Sequence, residues 1–335
     1  MGARVGLIGA GIMGADHARI LSSGIGGAVL AAVHDADSAR ARQVADACGG
    51  TQLYDDPQAL IADAGIDAVL VASPDETHAA LVLACIAQGK PVLVEKPLAA
   101  TLDECRAIVA AETRGGRRLV QVGYMRRFDP GYRMMKAALA EGRLGPPLFL
   151  HCVHRNAVAP HWLTNELVIA NSATHEIDIA RYLLGEEFAS VSVISPRASS
   201  RAPTRQPQLI VLETASGVVV DVEAFVDAQY GYDVRAELVC ENGTVALAPN
   251  PPLATRLAGQ DSHALHADWR GRFADAYRDQ IGAWLVSLGT DRPAGSSAWD
   301  GYAASVTADA ALQAWRTRSR TPVQLDTMPE FYRNA

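Results

Sequence analysis

Three glycines within six residues, Gly9-Ala-Gly11-Ile-Met-Gly14, stand between a short apolar run and a helical pattern near the start of the chain. A strand that turns sharply into a helix packed back upon it leaves little room for side chains. Gly9 permits the tight turn, Gly11 lets a pyrophosphate approach the backbone, and Gly14 lets helix and strand pack closely. The first turn of the helix adds amide donors and a dipole favourable to an anion. Taken alone, such a motif is an ordinary glycine turn about as often as a nucleotide site. Its surroundings favour the nucleotide site. Arg4–Ile8 reads as a buried strand, Ile12–Ser22 as its helix, and Ala28–His34 as a second strand closed by the acid Asp35. Asp35 can accept hydrogen bonds from both adenosine ribose hydroxyls and would repel a 2′-phosphate. NAD is therefore expected over NADP, with Arg40 and Arg42 the nearest candidates for a phosphate partner.

The alternation continues for about 120 residues, which is the pattern of a parallel sheet wound with helices. Ser38–Ala47 is helical, and Asp55-Asp56-Pro57 starts another helix, with aspartate as cap and proline in the first turn. Ala68–Ala72 is a continuous apolar strand ending in Ser73-Pro74, which reads equally as a cofactor contact and as a helix cap and turn. Helix Thr77–Gln88, strand Pro91–Val94, helix Leu102–Thr113 and strand Leu119–Val122 follow, which gives five of the strands of an expected six-stranded Rossmann arrangement. After Gly123 the pattern changes. Pro130–Ala140 looks helical, Pro146–Arg155 reads as a long strand, and a helix runs from about Ser172 to Leu184. Strands Phe188–Ile194, Gln208–Thr214, Val218–Phe225 and Arg235–Cys240 then follow without intervening helices, which predicts a large open, mainly antiparallel sheet. Asn242-Gly243 signals a tight hairpin into Val245–Leu247, and Asn250-Pro251-Pro252 opens a loop. Helices Phe273–Leu288 and Ser296–Trp315 close the chain. The expected fold is α/β: a Rossmann doubly wound domain over residues 1–122 and an α+β domain over residues 123–335.

Composition narrows the functional classes. A formal net charge of −7 argues against nucleic acid or an anionic membrane as the main partner. No stretch approaches the length of a membrane span, and no secretory signal is legible. Five scattered cysteines without metal-ligand spacing suggest a reduced, soluble, cytoplasmic protein without a metal.

Two segments carry candidate chemistry. In Val94-Glu95-Lys96-Pro97, Lys96 precedes a proline at the end of an apolar strand, so its backbone favours extended or turn geometry. That would hold the amine at the carboxyl edge of the sheet; a solvated pair with Glu95 is the plain alternative. The second segment is Asn171-Ser-Ala-Thr-His175-Glu-Ile-Asp178. On a helix, Asn171 and His175 share a face, with Asp178 on the next turn. Zinc is a poor reading because the second histidine of His-Glu-x-x-His is missing. From these residues alone His175 stays unassigned.

With these segments in view, the chain resembles the family of glucose–fructose oxidoreductase, inositol dehydrogenase and rhizopine catabolism oxidoreductases. The resemblance spans nearly the whole chain. It rests on Gly9-Ala-Gly11-Ile-Met-Gly14 with His17-Ala18, Glu95-Lys96-Pro97-Leu98, Gly123-Tyr-Met-Arg126-Arg127-Phe-Asp129 and His175-Glu-Ile-Asp178. His151-Cys-Val-His154-Arg155-Asn156 and Tyr230-Gly-Tyr232-Asp233 make it look most like the inositol 2-dehydrogenases within that family.

The resemblance implies a nicotinamide-dependent dehydrogenase acting on a secondary hydroxyl of a cyclic polyol, myo-inositol first, and assembling as a homotetramer. The alternatives are a dehydrogenase of a pyranose or anhydrosugar and a catalytically silent dinucleotide-binding sensor. By resemblance, Gly9, Gly11, Ile12, Met13, Gly14, Asp35, Ser73, Pro74, Glu95 and Lys96 hold the cofactor. Met125, Arg126, His154, Asn156, Asn171, His175 and Tyr232, with Lys96, line the polyol pocket. His175 removes the hydroxyl proton and Lys96 assists. These roles agree with the chemistry, because oxidising an alcohol needs a base of near-neutral pKa and a cation to stabilise developing alkoxide. Of the neighbouring Arg126 and Arg127, only one is expected to point inward, and the family match selects Arg126. Tyr230 and Tyr232 are expected on one side of an extended segment. One departure stands out: inositol dehydrogenases commonly carry aspartate where this chain has Asn171.

Overall fold

The computed structural model of the 335-residue chain describes residues 2–22, 25–160, 162–200, 207–249, 251–290 and 292–333. It divides into two compact units: Met1–Met125 with Tyr277–Tyr302 and Thr327–Ala335, and Arg126–Ala276 with Ala303–Asp326. A single cut after Val122 does not describe this division, because two C-terminal segments belong to the first unit.

In the first unit, strands β1 (Ala3–Ile8), β2 (Ala28–His34), β3 (Gln52–Leu53), β4 (Ala68–Val71), β5 (Val92–Val94) and β6 (Val120–Val122) form one sheet. Their order is β6-β5-β4-β1-β2-β3, all parallel. This is the expected doubly wound arrangement. Ser296–Ser297 adds a short antiparallel edge beside β6. The central strands are apolar on both faces because helices cover both, and every residue of β4 and β5 is buried. The intervening helices are α1 (Ile12–Ser22), α2 (Ser38–Ala47), α3 (Pro57–Ala62), α4 (Asp75–Ala87) and α5 (Leu102–Gly115). Their starts are written in the sequence. Asp56 caps α3 by accepting from the Gln58 amide at 2.9 Å, with Pro57 in the first turn. Thr101 and Glu104 form a reciprocal capping box on α5. β3 is only two residues long and has no alternation to reveal it.

In the second unit, α6 (Pro130–Ala140) precedes β7 (Pro147–Arg155). A single turn, α7 (Asn165–Leu167), runs into a π-helical turn at Val168–Ser172 and then α8 (Thr174–Leu184). Strands β8 (Phe188–Ile194), β9 (Gln208–Thr214), β10 (Val219–Phe225), β11 (Asp233–Cys240) and β12 (Gly243–Ala246) follow. The sheet order is β12-β11-β7-β10-β9-β8, with Thr321–Pro322 beside β8. All pairs are antiparallel except β7 with β10. Burial alternates strictly along β9 and β10, so one face of the sheet is packed and the other open. The hairpin between β11 and β12 turns on Glu241-Asn242 rather than Asn242-Gly243: Cys240 pairs with Gly243, and neither turn residue has positive φ. A second hairpin, β13 (Ala254–Leu257) and β14 (Gln260–His263), stands apart from the large sheet. The loop expected at Asn250 begins outside the described residues. Helices α9 (Trp269–Ser287) and α10 (Ala298–Thr317) appear close to the expected spans.

The β1–α1 turn shows why the glycines are needed. A β-carbon on Gly14 would lie 1.8 Å from the Gly9 carbonyl oxygen, and one on Gly9 would lie 2.5 Å from Ala72 and Ser73 backbone atoms. Nothing stands within 4 Å of the position of a Gly11 β-carbon. The three glycines therefore separate into two structural positions and one that leaves space free. Gly14→Ala should lower unfolding stability by about 1–3 kcal/mol or more, as overpacking does, and Gly11→Ala should not. Both should weaken NADH binding. Urea unfolding together with NADH fluorescence titration checks the contrast, and equal stability losses would contradict it.

Candidate active site

In the first unit, Asp35 leaves the carboxyl end of β2 and reaches back to the glycine turn. Its carboxylate accepts the Ala10 amide at 2.6 Å and the Asp37 amide at 2.8 Å. Arg40 Nε stands 3.3 Å away, so Arg40 rather than the exposed Arg42 is the basic neighbour of this acid. A cavity of about 710 Å³ opens beside Gly11, lined among others by Ile12, Arg19, Arg40 and Gln43. The free space at Gly11, an exposed Ile12 and a fixed carboxylate fit the diphosphate, apolar and ribose parts of a dinucleotide. Ser73 and Pro74 lead from β4 into α4, where Pro74 stands at the cap position without a side-chain cap bond. The Ser73 hydroxyl lies 2.5 Å from that of Thr77.

Lys96 follows β5, and the Lys96-Pro97 peptide is cis. Glu95 turns inward. Its carboxylate meets His17 Nε2 at 2.7 Å and accepts the Lys96 amide at 3.2 Å. Burial alone would push its pKa up, but the His17 hydrogen bond and charge and the nearby Lys96 bring it below the ordinary value. The Glu95 side chain is thus committed to the protein interior. Asp75, at the start of α4, has its carboxyl pKa raised by burial, against the opposing pull of His78 and Lys96. Met125 also belongs to this unit and is buried.

The other candidate residues belong to the second unit. A 3₁₀ turn at Met125–Phe128 presents Arg126 and Arg127, and both turn inward, contrary to expectation. Each meets an acid of α8. Arg126, 1% exposed, pairs with Glu176, and Arg127 binds Asp178 through two bonds of 2.9 and 2.6 Å. His154 Nδ1 lies 3.0 Å from the second oxygen of Glu176, so one buried carboxylate ties together Arg126 and His154. Burial opposes the charge on Glu176, yet Arg126 and His154 hold its pKa down at about 2. Glu176 was not singled out from sequence. Its signal was available in His175-Glu-Ile-Asp178, where two acids two apart on a mostly apolar helix require cationic partners.

Tyr232 lies edge-on to His154 and Phe273, with ring centroids 6.1 and 6.3 Å away, and burial raises its hydroxyl pKa to about 12. Tyr230 does not share its side. Gly231, at φ +146°, breaks the alternation, leaving Tyr230 half exposed and donating to Asp233 at 2.6 Å. Alternation along β7 likewise buries His154 and puts His151 on the open face, paired with Asp221. Arg126 Nε and Asn156 Oδ1 are buried polar atoms with no protein partner among the described residues. A free donor and a free acceptor fit a hydroxyl-rich ligand.

Asn171 and His175 are both half-buried, but not on one regular helix as expected. Asn171 lies in the π-helical turn, closed by the Ala173 amide donating to the Val168 carbonyl at 3.0 Å, and α8 starts only at Thr174. Such single π turns recur at functional sites. Among the described residues no group of three or more His, Cys, Asp or Glu could hold a metal, and no helix is long and apolar enough to cross a membrane.

Comparison with known proteins agrees with this architecture. Residues 3–124 match the model of an oxidoreductase family with an NAD-binding Rossmann fold, and residues 132–246 match the GFO/IDH/MocA C-terminal domain. The chain is 53% identical over 335 residues to inositol 2-dehydrogenase 1 of Saccharopolyspora erythraea, covering 99% of each chain. It is 42% identical over 333 residues to inositol 2-dehydrogenase of Burkholderia vietnamiensis, covering 98% of this chain and 99% of that one. It superposes on the crystal structure of myo-inositol dehydrogenase from Lactobacillus casei in complex with NAD(H) and myo-inositol. That match has a TM-score of 0.94 and 34% identity, and covers 99% of this chain and 100% of that one. With both halves matched and the alignment running end to end, the chain belongs to the GFO/IDH/MocA family of NAD-binding oxidoreductases.

Proposed function

We propose that this protein oxidises one secondary hydroxyl of a cyclic polyol, myo-inositol to 2-keto-myo-inositol, with NAD as oxidant. The observation that carries this reading is the end-to-end similarity to proteins named as inositol dehydrogenases, one of them solved with both NAD(H) and myo-inositol. The unpaired Arg126 Nε and Asn156 Oδ1 support it as places for substrate hydroxyls. In this reading the first unit holds NAD through Gly9, Gly11, Ile12, Met13, Gly14, Asp35, Ser73, Pro74 and the segment of Glu95 and Lys96. Met125, Arg126, His154, Asn156, Asn171, His175 and Tyr232 surround the polyol.

Bound NAD supplies the hydride acceptor, at nicotinamide C4. His175 takes the hydroxyl proton, which requires a neutral imidazole. Lys96, as a cation, lowers the hydroxyl pKa and stabilises the alkoxide that develops. Arg126 acts less as a free cation than as a fixed donor, since Glu176 already neutralises it. The open sheet face exposes Leu148 and Phe149, each more than two-fifths accessible, beside a stacked Phe149–His151 pair. These apolar groups lie among the His151–Asp221 and Arg155–Glu223 ion pairs, and that mixed surface supports self-association, as a homotetramer by family likeness. The five free cysteines suit a reducing compartment, the cytoplasm.

Initial rates with NAD and NADP on a panel of inositols and pyranoses test the assignment. The expected outcome is turnover of myo-inositol with NAD, slowed by about 100- to 1000-fold but still measurable in Lys96→Ala and His175→Ala while NADH still binds. Turnover of pyranoses alone would replace the substrate, and a wild type that binds NADH without turning over any member would point to a sensor. Asn171 lacks the charge that an aspartate would place near His175, which makes the imidazole a weaker base here. Asn171→Asp should raise the His175 pKa and so move the acid limb of the kcat–pH profile to higher pH; an unmoved limb would refute this. Light scattering at micromolar concentration should give a mass above the 35.5 kDa of one chain, and a monomeric mass would remove the self-association reading.

A further inference from the structure

Lys96 lies two residues beyond the end of β5, so where its amine reaches depends on how that turn is held. Two wholly buried histidines hold it. His17, on α1, places Nε2 2.7 Å from Glu95 Oε1, while Glu95 Oε2 accepts the Lys96 amide at 3.2 Å. An ionised carboxylate only accepts, so His17 Nε2 carries the hydrogen of this bond. His17 Nδ1 is buried without a protein partner among the described residues, so the imidazole directs its hydrogen bonding to Glu95. His78, on α4, sets Nδ1 2.8 Å from the Pro97 carbonyl and Nε2 3.0 Å from the Ser73 carbonyl. The turn is thereby tied at the Lys96 amide to the helix of the glycine turn and, with both ring nitrogens of His78 donating, at Pro97 to the end of β4.

A buried carboxylate is a costly way to fill space, and an apolar side chain of similar volume would stabilise the unit as well or better. The surroundings are nevertheless shaped around it. A β-carbon at Gly123, the residue after β6, would stand 3.0 Å from the Glu95 carboxyl group. The Glu95 amide itself is fixed to the Val71 carbonyl of β4 at 2.8 Å. Both carboxylate oxygens and the amide of Glu95 are thus engaged within the protein.

We propose that His17, Glu95 and His78 are positioning residues for Lys96, holding the turn that carries it in register with the two turns that receive the dinucleotide. This rests on the reading of Lys96 as the cation at the reacting hydroxyl. Glu95→Gln disturbs the arrangement chemically at nearly constant shape, because its one oxygen replaces only one carboxylate oxygen, and meeting both partners would force the His17 hydrogen onto the buried, partnerless Nδ1. His17→Gln places an amide nitrogen where Nε2 stood and keeps the bond, whereas His17→Ala loses it.

The test is a double-mutant cycle on kcat, with NAD and myo-inositol or the fastest substrate of the panel. Glu95→Gln and His17→Ala should lower kcat by about 10- to 100-fold, the scale of an ångström-level misplacement. His17→Gln should recover most of the rate, since it restores the bond to Glu95 and with it the placement of Lys96. In a Lys96→Ala background, Glu95→Gln should cost less than about twofold more, because groups acting through one another are not additive. Should His17→Ala fail to fold, Glu95→Gln and His17→Gln complete the cycle. A slow Lys96→Ala enzyme beside an unimpaired Glu95→Gln, or full additivity of the two losses, overturns this inference alone. A Lys96→Ala enzyme with wild-type kcat overturns the role of Lys96 and this inference with it.

Discussion

The close approach of Gly14 to the Gly9 carbonyl is the constraint on which the first unit depends. With no room for a β-carbon there, α1 lies against the end of β1 and its first turn faces open space at Gly11. The same approach brings His17, one turn further along α1, over the end of β5, where it meets Glu95. Asp35 closes the turn from the other side by accepting the Ala10 amide. One packing contact thus sets the free space at Gly11, the position of Asp35 and the bond of His17 to Glu95.

The second unit is organised by charge rather than by close approach. Glu176 and Asp178 lie on the buried side of α8 and each takes an arginine from the turn before α6. Removing one partner from such a buried pair typically costs about 3–5 kcal/mol, so these contacts fix how α8 sits within its unit. His175 is the residue next to Glu176, and its placement follows from that anchoring. His154 shares the Glu176 carboxylate, which links β7 to the same acid. Arg126 Nε and Asn156 Oδ1 are among the buried polar atoms that this network leaves without a protein partner among the described residues.

Much of this was legible in the sequence because it follows from local rules. Asp56-Pro57 marks a helix start by capping chemistry, and β4 and β5 are continuous apolar runs because helices bury both faces. What stayed hidden depends on partners distant in sequence. Nothing local announces that Arg127 turns inward, because its reason is Asp178, fifty-one positions away. The π turn that holds Asn171 is invisible to a 3.6-residue pattern, which extends the helix regularly to Ser172. Tyr230 and Tyr232 obey alternation on paper, and a single glycine at φ +146° undoes it. β7 and β10 pair in parallel, which the run of helix-free strands after α8 does not suggest, and the long connection through α8, β8 and β9 permits it. His17 was visible as part of a family motif, but its bond to Glu95 appears only when α1 is laid on the sheet.

The central claim is that hydride leaves a secondary carbon of a cyclic polyol for NAD in a step that needs the Lys96 amine and the His175 imidazole. Single-turnover formation of NADH from myo-inositol carrying deuterium at the reacting carbon measures that step directly. The account predicts a primary isotope effect on the rate, with NADH formation slowed at least about 100-fold when either residue is replaced by alanine. NADH formation at an unchanged rate in both alanine variants would contradict it.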